Sequence, residues 1–550
     1  MTDTLRKSLS LTVLLGVVGV LAGGFYTAVS GICSVFLLIW LFFVEKEKLK
    51  FVFNPFSCAI LCCFAFYCLT PLWAADHGMA LLGIVRFLPI VLFLLLVTLK
   101  KYSIDLVFQL CCILGAGMTV VSLIGMQIPA LEDFFSVAGR ISGTFGYPNT
   151  FAAFLTVCLT YQLSKGEMQK YDWGINLILC VGLLYSGSRG AFIWAAIVLV
   201  IAAIVHRRWK QSMSVFAPLI VCILAAYLLE TVGVSSEANR YLSASTESGT
   251  FLARLLYYKD ALRESLSHPF GLGYWGYRAA LGTFQTGRYA VSFVHNDLIQ
   301  MLLEIGWIPT LVFVFGVGWL FWKGNAQKKL LLLALLGHSM IDFDQQFLIM
   351  WLLLIALSDI EHGKTVTFRA NQFLACAVML VCVWLSAADV LYTFGSYALC
   401  DKIAPWHTEA KIKLLTKAET AEEMERIGND ILALNSSCSI AFSACAEVAY
   451  SQADFETMRD SKNQAIDCAP YALAEYTNYL DKLFVFYEYY ASQGDARGAQ
   501  TCVQEMCSVV ERIAAVEKKT DRLAVECGED QSMALPRDYL KALYEIGAMQ

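Results

Sequence analysis

The chain has 550 residues, of which 58% are hydrophobic and 16% are charged, and its formal net charge is -5 at pH 7. A chain this long and this apolar is excluded from the class of soluble multidomain proteins and fits a polytopic membrane protein. The net charge averages two unlike regions, because the sequence is apolar up to about residue 393 and acidic and helix-forming after it.

The predicted elements of the first region are hydrophobic segments typical of membrane helices. They lie near residues 9–28, 30–44, 53–73, 79–98, 104–126, 149–164, 172–188, 190–205, 213–230, 296–322, 330–345, 346–360 and 371–392. Crossing a bilayer takes about 20 apolar residues and several segments are shorter, so we predict about 12–13 transmembrane helices. The predicted fold class is all-α, a polytopic membrane helix bundle. Another membrane segment follows the first apolar run, so no cleavable signal peptide is expected.

Lysine and arginine residues set the expected orientation in the membrane. With Arg6 and Lys7 in the cytoplasm, each later inside loop carries two or three basic residues, while the short outside loops hold little more than Arg140 and Arg189. By the positive-inside rule, the loop at about residues 231–295 is then extracytoplasmic, and so is the tail if thirteen segments cross. Seven tail cysteines in an oxidising space argue against this side for the tail, and one crossing fewer would make the tail cytoplasmic.

The polar segment from Thr231 to Val294 is predicted to be the working part of the first region. Its roughly 65 residues far exceed the usual connection of about 4–6 residues, and such long loops are usually functional or disordered. N-cap candidates at Ser248, Gly249 and Thr250 predict a helix over about 251–267, on which Arg254 and Tyr258 share a face. Arginine is suited to bidentate phosphate contact, so Arg254 is a candidate phosphate ligand.

Arg189 and His295 are candidate functional residues at the expected outer rim. Small residues surround Arg189 in the run Ser186-Gly187-Ser188-Arg189-Gly190, which lets another backbone or a ligand approach closely. His295 ends the long loop and precedes a segment that returns to the membrane. A neutral imidazole there can accept a proton from an attacking hydroxyl, although an ordinary interfacial histidine is the alternative.

Ionisable side chains inside the apolar region need a partner or a wet cavity, because a charge at bilayer depth is otherwise strongly unfavourable. Four such residues are Arg86, His338, Asp342 and Asp344. His338 and Asp342 are four residues apart and are therefore expected on one helix face. They either pair with one another or with Arg86, or they line a cavity open to the outside.

We predict a transmembrane domain over residues 1–392 and a soluble α-helical domain over residues 393–550. The tail contains four amphipathic helices near residues 437–452, 454–468, 470–493 and 495–517. They resemble tetratricopeptide-type (TPR-like) hairpins, although fewer than three clear repeats are present. A helical binding module and a plain helical cap both remain open.

The cysteines do not indicate a metal site. Twelve of the 19 cysteines lie before residue 390, where they are scattered or adjacent, as in Cys62-Cys63. No pair has Cys-x-x-Cys spacing, so small buried hydrophobic residues are the better interpretation, and neither a metal nor a cofactor is expected.

Four ordered pieces of the sequence resemble the bacterial O-antigen ligases and the related O-antigen and capsule polymerases. The pieces are Gly139–Asn149, Gly187–Gly190, Arg254 with His268–Gly273, and His295-Asn296 with Gly306 ten residues after the asparagine. The resemblance covers about residues 80–360. It departs from the ligase pattern at Pro309-Thr310, where a small residue is expected three positions after that glycine.

The resemblance implies a GT-C-like integral-membrane glycosyltransferase on the outer face of the cytoplasmic (inner or plasma) membrane. Its donor would be an undecaprenyl-diphosphate-linked glycan, and its acceptor a glycan, a lipid or a protein. By position, Arg189 and Arg254 would hold the diphosphate and His295 would serve the acceptor hydroxyl. The candidate substrate-binding residues are Arg86, Arg140, Asn149, Asn296, His338 and Asp342. Membrane lipid is an expected partner, and nucleic acid is not.

Two arginines can offset the charge that develops on a diphosphate leaving group without a metal ion. No convincing carboxylate pair lies beside them in the sequence, so we expect metal-independent transfer that inverts the anomeric centre. A polymerase of the same family is the nearest alternative, because the two share a donor and differ in acceptor. A polysaccharide or lipid transporter is a further alternative, although hydropathy shows no inverted repeat.

Overall fold

The computed structural model describes residues 3–44, 49–99, 102–231, 249–528 and 530–549. Within these ranges the chain is overwhelmingly helical, and its strands are short, which confirms the predicted all-α class. The predicted cap at Ser248 lies outside the described residues. Contacts divide the chain into two compact units.

The first unit comprises Met1–Leu69, Leu82–Ser245 and His295–Val390. The helices up to the long loop are α1 (Asp3–Val20), α2 (Thr27–Ile39), α3 (Pro55–Leu69), α4 (Leu81–Leu99), α5 (Ile104–Gly125), α6 (Glu132–Phe135), α7 (Pro148–Ser164), α8 (Asp172–Tyr185), α9 (Arg189–His206) and α10 (Trp209–Thr231). Strand β1 (Leu49–Phe53) pairs antiparallel with β4 (Lys364–Phe368), and β2 (Ser136–Val137) pairs with β3 (Arg140–Ile141).

The loop and the return to apolar sequence are also helical. The loop contains α11 (Gly249–Ser267) and α12 (Gly276–Phe284), and it is followed by α13 (Asp297–Ile305), α14 (Trp307–Lys323), α15 (Ala326–His338), α16 (Leu348–Ala356) and α17 (Gln372–Thr393). As predicted, the loop helix ends immediately before His268-Pro269.

Apolar helices of membrane-crossing length confirm the membrane character of the fold. Among the described residues, six are long and apolar enough: Thr27–Val44, Pro55–Leu72, Leu81–Leu99, Ile104–Gly125, Arg189–His206 and Gln372–Thr393. Four shorter apolar helices are Leu11–Val20, Asp172–Tyr185, Trp209–Ala225 and Trp307–Lys323. The total of about 12–13 crossings stays a prediction, because length and composition select fewer helices.

Helix α7 is the central element of the first unit. Every residue of α7 except Asn149 is buried, and the helix packs against α5, α8, α9 and α15. Pro148 stands in its first turn, where a missing backbone N–H costs no hydrogen bond. Asn149, at the N-terminal end of α7, is therefore the one residue of this helix that remains partly exposed.

Three predicted segments are not continuous helices. Helix α1 ends at Val20 instead of continuing to residue 28, and α15 ends at His338 instead of near residue 345. The segment over 296–322 divides into α13 and α14 at Gly306, whose φ of 85° is readily adopted only by glycine. Hydropathy predicted the apolar stretches correctly but did not detect these interruptions.

The second unit comprises Thr70–Leu81, Thr246–Val294 and Leu391–Gln550. Its tail helices are α18 (Tyr397–Ile403), α19 (Thr408–Leu415), α20 (Ala421–Leu434), α21 (Ser439–Ser451), α22 (Phe455–Cys468), α23 (Leu473–Ser492), α24 (Ala496–Lys519), α25 (Arg522–Glu526) and α26 (Arg537–Ile546). The four predicted tail helices correspond to α21–α24 and are confirmed. Helix α21 packs on α22 and α23 packs on α24, while the TPR-like assignment stays a prediction.

Candidate functional site

Asp342 is the centre of a hydrogen-bonded cluster in the first unit. Its Oδ1 accepts from the Tyr147 hydroxyl at 2.8 Å and lies 3.2 Å from Nδ1 of His295, while its Oδ2 accepts from Asn149 Nδ2 at 2.8 Å. The Asp342 side chain is only 1% exposed. If Asp342 is ionised it can only accept hydrogen bonds, and this geometry then assigns the proton of His295 to Nδ1 and the lone pair to Nε2.

The backbone of His295 adopts an unusual conformation at the end of the long loop. Its φ is 59°, in the left-handed region that non-glycine residues seldom occupy and that is enriched at functional sites. The imidazole packs edge-on against Phe343, with ring centroids 4.9 Å apart, and its side chain is 20% exposed. The ring is therefore held in place and remains partly exposed.

Asn296 fixes the chain directly after this histidine. Its Oδ1 accepts from the backbone N–H of Ile299 at 3.1 Å and caps α13, while its Nδ2 donates to the carbonyl of Met340 at 2.8 Å. An asparagine at the N-cap satisfies a backbone donor that the helix leaves unpaired. The predicted substrate-binding residue Asn296 thus orients His295 through the backbone in this structure.

Arg140 connects the cluster to the turn before Arg189. Its Nη2 donates to Asn149 Oδ1 at 2.6 Å, and its Nε donates to the carbonyl of Ser186 at 2.7 Å. Ser188 then caps α9, of which Arg189 is the first residue. Hydrogen bonds therefore link this turn to the aspartate beside His295, although the residues are widely separated in sequence.

His338 does not share a helix face with Asp342, and that expectation was wrong. Helix α15 ends at His338, and Nδ1 of His338 pairs with Asp344 Oδ2 at 2.6 Å. Asp344 also accepts from the Thr150 hydroxyl at 2.8 Å. A Cβ on Gly190 would lie 4.0 Å from His338 Nε2, so the first turn of α9 lies close to this second pair.

Arg86 bonds to backbone carbonyls. Its guanidinium donates to the carbonyls of Phe25 and Gln346 and lies over the Phe25 ring, 6.0 Å from the centroid. These contacts give a half-buried cation hydrogen-bond partners within the apolar region. They also fix Phe25 and Gln346, which come from opposite ends of the unit's sequence.

Tyr147, Thr150 and Asp297 belong to this region but were not predicted as site residues. Tyr147 and Thr150 flank Pro148-Asn149. Because Tyr147 lies within the Gly139–Asn149 piece of the family resemblance, that piece could have identified it. Asp297 is 3% exposed, and its Oδ2 accepts from the backbone N–H of Gln345 at 2.8 Å. No sequence signal distinguishes such a carboxylate from one at an exposed helix start.

Arg254 belongs to the second unit, where it lies half-buried on α11. Tyr258 follows it one turn later on the same helix, in agreement with the predicted spacing. The diphosphate contact of Arg254 stays a prediction.

Comparison with known protein families identifies the region that contains these residues. A family model described as O-antigen ligase matches residues 174–314. The matched segment includes Arg189, Arg254 and His295 and runs from α8 into α14. A comparison with curated protein sequences finds no match.

Proposed function

We propose that the chain is a glycosyltransferase of the O-antigen ligase and polymerase type, starting from the O-antigen ligase family model that matches residues 174–314. The donor in this proposal is an undecaprenyl-diphosphate-linked glycan, and the acceptor is a hydroxyl of a glycan, lipid or protein. The reaction takes place on the outer face of the cytoplasmic membrane. The pairing of His295 with Asp342 is the observation that carries the proposal.

The pair can act as a general base. Nε2 of His295 removes the proton of the acceptor hydroxyl, and Asp342 stabilises the resulting imidazolium. The acceptor oxygen then forms a bond to the anomeric carbon, while the bond from that carbon to the diphosphate oxygen breaks. A single displacement from the opposite face inverts the anomeric centre.

The leaving group carries away the bonding electron pair and needs positive charge nearby. Arg189 and Arg254 supply this charge in the proposal, and preorganised cations of this kind stabilise the transition state without a metal ion. The position of Arg189 at the first turn of α9 supports its role, because helix N-termini favour anionic groups.

The remaining predicted residues have positioning roles in this proposal. Arg140 and Asn149 link the Arg189 turn to Asp342, and Asn296 orients His295. Direct substrate contacts of Asn149 and Asp342 stay predictions. Substrate contacts also stay predictions for four residues whose side chains bond to backbone or carboxylate groups in this structure: Arg86, Arg140, Asn296 and His338.

Contacts within the second unit support an extracytoplasmic tail. Lys259 of the loop pairs with Asp521 of the tail, and the backbone N–H of Arg288 donates to the side chain of Gln531 at 2.6 Å. Loop and tail therefore face the same compartment, and the charge pattern of the membrane segments favours the outer side. A tail beside the working loop favours transfer to a large acceptor, which is the ligase activity.

Transfer from a synthetic undecaprenyl-diphosphate glycan tests the proposal directly. His295→Ala should reduce transfer by about 10²–10⁴-fold, the usual contribution of a general base. Undiminished transfer by a folded, membrane-inserted variant would refute the assignment. Glycan from a deletion strain separates the alternatives: full-length chains left on lipid indicate a ligase, and short unpolymerised units indicate a polymerase.

A further inference from the structure

The second unit contains a pocket that the proposed reaction does not use. Its volume is about 310 Å³, and its walls come from three separated parts of the chain. We call it the three-segment pocket and define it by residues 73–77, by loop residues between Glu264 and Thr283, and by tail residues 432–437. The side chains that carry its chemistry are Trp73, His77, Glu264, His268 and Thr283.

Backbone contacts fix the walls of this pocket. The N–H of Ala75 donates to the carbonyl of Leu272 at 2.9 Å, and the N–H of His77 donates to the carbonyl of Leu434 at 3.0 Å. Gly273 has a φ of 81°, and a Cβ there would lie 2.5 Å from the Cβ of Ala74. A pocket held in this way binds a ligand without a large loss of chain entropy.

The pocket combines an aromatic surface with hydrogen-bonding groups. Trp73 is 40% exposed, its ring packs edge-on against Phe270, and its Nε1 donates to the Phe270 carbonyl at 3.3 Å. Glu264 Oε1 lies 2.9 Å from His268 Nδ1. An indole face suits the C–H surface of a pyranose ring, and the carboxylate and imidazole suit its hydroxyl groups.

The charge of the lining selects among possible ligands. Glu264 contributes a carboxylate, and neither lysine nor arginine is among the described residues that line the pocket. A phosphate or uronate would therefore meet a negative group without a fixed cation to balance it. The lining favours an uncharged ligand that is rich in hydroxyl groups.

Trp73 lies at the end of an apolar span in the sequence. Trp73 directly follows Leu72, the last residue of the apolar span Pro55–Leu72. Sugars attached to a membrane lipid emerge at this level, although tryptophan is also enriched at membrane interfaces as an anchor. Lipid anchoring is therefore the outcome that a test must separate from sugar binding.

We propose that the three-segment pocket binds a neutral, hydroxyl-rich stretch of glycan, with Trp73 as the stacking surface and Glu264 as a hydroxyl partner. The inference rests on the proposed function only in taking a glycan to be present at this face. The pocket would hold part of the donor or acceptor chain without taking part in bond formation.

Full-length protein in lipid nanodiscs, titrated with a neutral hexose oligosaccharide, tests this by calorimetry. Trp73→Ala should weaken binding by roughly tenfold, the loss expected for one aromatic contact, while Trp73→Phe should retain most of it. Glu264→Gln should improve binding of a uronate oligosaccharide of equal length relative to the neutral one. Tyr489→Ala, at a tail tyrosine that is 57% exposed and outside the pocket, is the matched control.

Equal sugar affinity in the native protein and Trp73→Ala would overturn the proposal and assign Trp73 to lipid anchoring. Preference of the native protein for the uronate oligosaccharide would overturn it as well, as would the absence of neutral-sugar binding. His295→Ala should keep oligosaccharide affinity while it loses transfer. Failure of the transfer mechanism and failure of this binding site are therefore distinguishable.

Discussion

Oδ1 of Asp342 lies 3.2 Å from Nδ1 of His295, which is the geometry of an aspartate that orients a basic imidazole. Asp342→Asn should lower kcat by at least about 10²-fold with a smaller change in KM, because the imidazolium loses its counter-charge. Initial rates with the synthetic donor provide the measurement. Asp359→Asn is the control, since Asp359 Oδ2 pairs with exposed His362 at 2.7 Å and should be dispensable.

Tyr147 should assist this pair through its hydroxyl, which donates to Asp342 and accepts from Asn149 Nδ2 at 3.0 Å. Tyr147→Phe should reduce kcat by about tenfold to a hundredfold, as expected for a lost hydrogen bond to a charged group. In the Asp342→Asn background the same change should matter less. Tyr161→Phe removes a hydroxyl that donates to the Asp105 carbonyl, and an equal loss there would indicate a packing effect.

Arg189 should stabilise the negative charge of the leaving group without the help of a metal ion. Arg189→Ala is expected to lower transfer by about 10²-fold or more, because a developing negative charge loses a fixed partner. Arg207→Gln at the opposite end of α9 should be close to wild type. Chelation of Mg2+ and Mn2+ should leave transfer by the native enzyme intact, and a loss restored by added metal would contradict the proposed mechanism.

Asp76 predicts a pH-dependent stability difference in the second unit. Burial raises the pKa of Asp76 from 3.8 to about 6, so the folded state prefers the neutral carboxyl. The stability that comes from this preference is fully present below pH 3.8 and is lost as the pH rises to about 6. Asp76→Asn keeps an oxygen acceptor for the Met79 N–H and the Thr408 hydroxyl. The variant should therefore melt at a higher temperature at pH 7, and the difference should vanish below about pH 4.

Thermal unfolding of both proteins across this pH range provides the measurement. His407, whose pKa burial lowers to about 4, is present in both and cancels in the difference. Asp454 is an opposite-sign control, because hydrogen bonds from Thr457 lower its pKa. Its stabilising effect is lost as the pH falls. A variant at Asp76 that is less stable at pH 7 would show that the ionised carboxylate is needed there.

The sequence predicted the apolar stretches, the four tail helices and the start of the helix after His295, because each depends on local periodicity or capping. The end of α15 could not be predicted in this way. The carbonyls beyond it bond elsewhere, since Ser339 accepts from the N–H of Asp297 and Met340 accepts from Asn296. These tertiary contacts override the apolar periodicity that favoured a longer helix.

The candidate site was predicted in its residues more than in its connections. Spacing grouped Asp342 with His338, whereas the folded chain pairs Asp342 with His295 and pairs His338 with Asp344. Because the chain forms a turn after His338 instead of continuing as a helix, His338 pairs with Asp344, and Asp342 is left to pair with His295. Sequence spacing cannot determine this choice, because it depends on the meeting of α7, α13 and the residues after α15.

The carbonyl of Cys468 approaches Gly282 so closely that a Cβ on the glycine would lie 2.2 Å from it. Loop and tail are therefore sterically matched at this point, since almost any side chain at this loop position would separate them. Grafting the tail of a distant relative onto this chain should consequently produce a misfolded hybrid, even where both parents are stable. Exchanges that carry the short 70–81 connection, the loop and the tail as one set would preserve the native contacts.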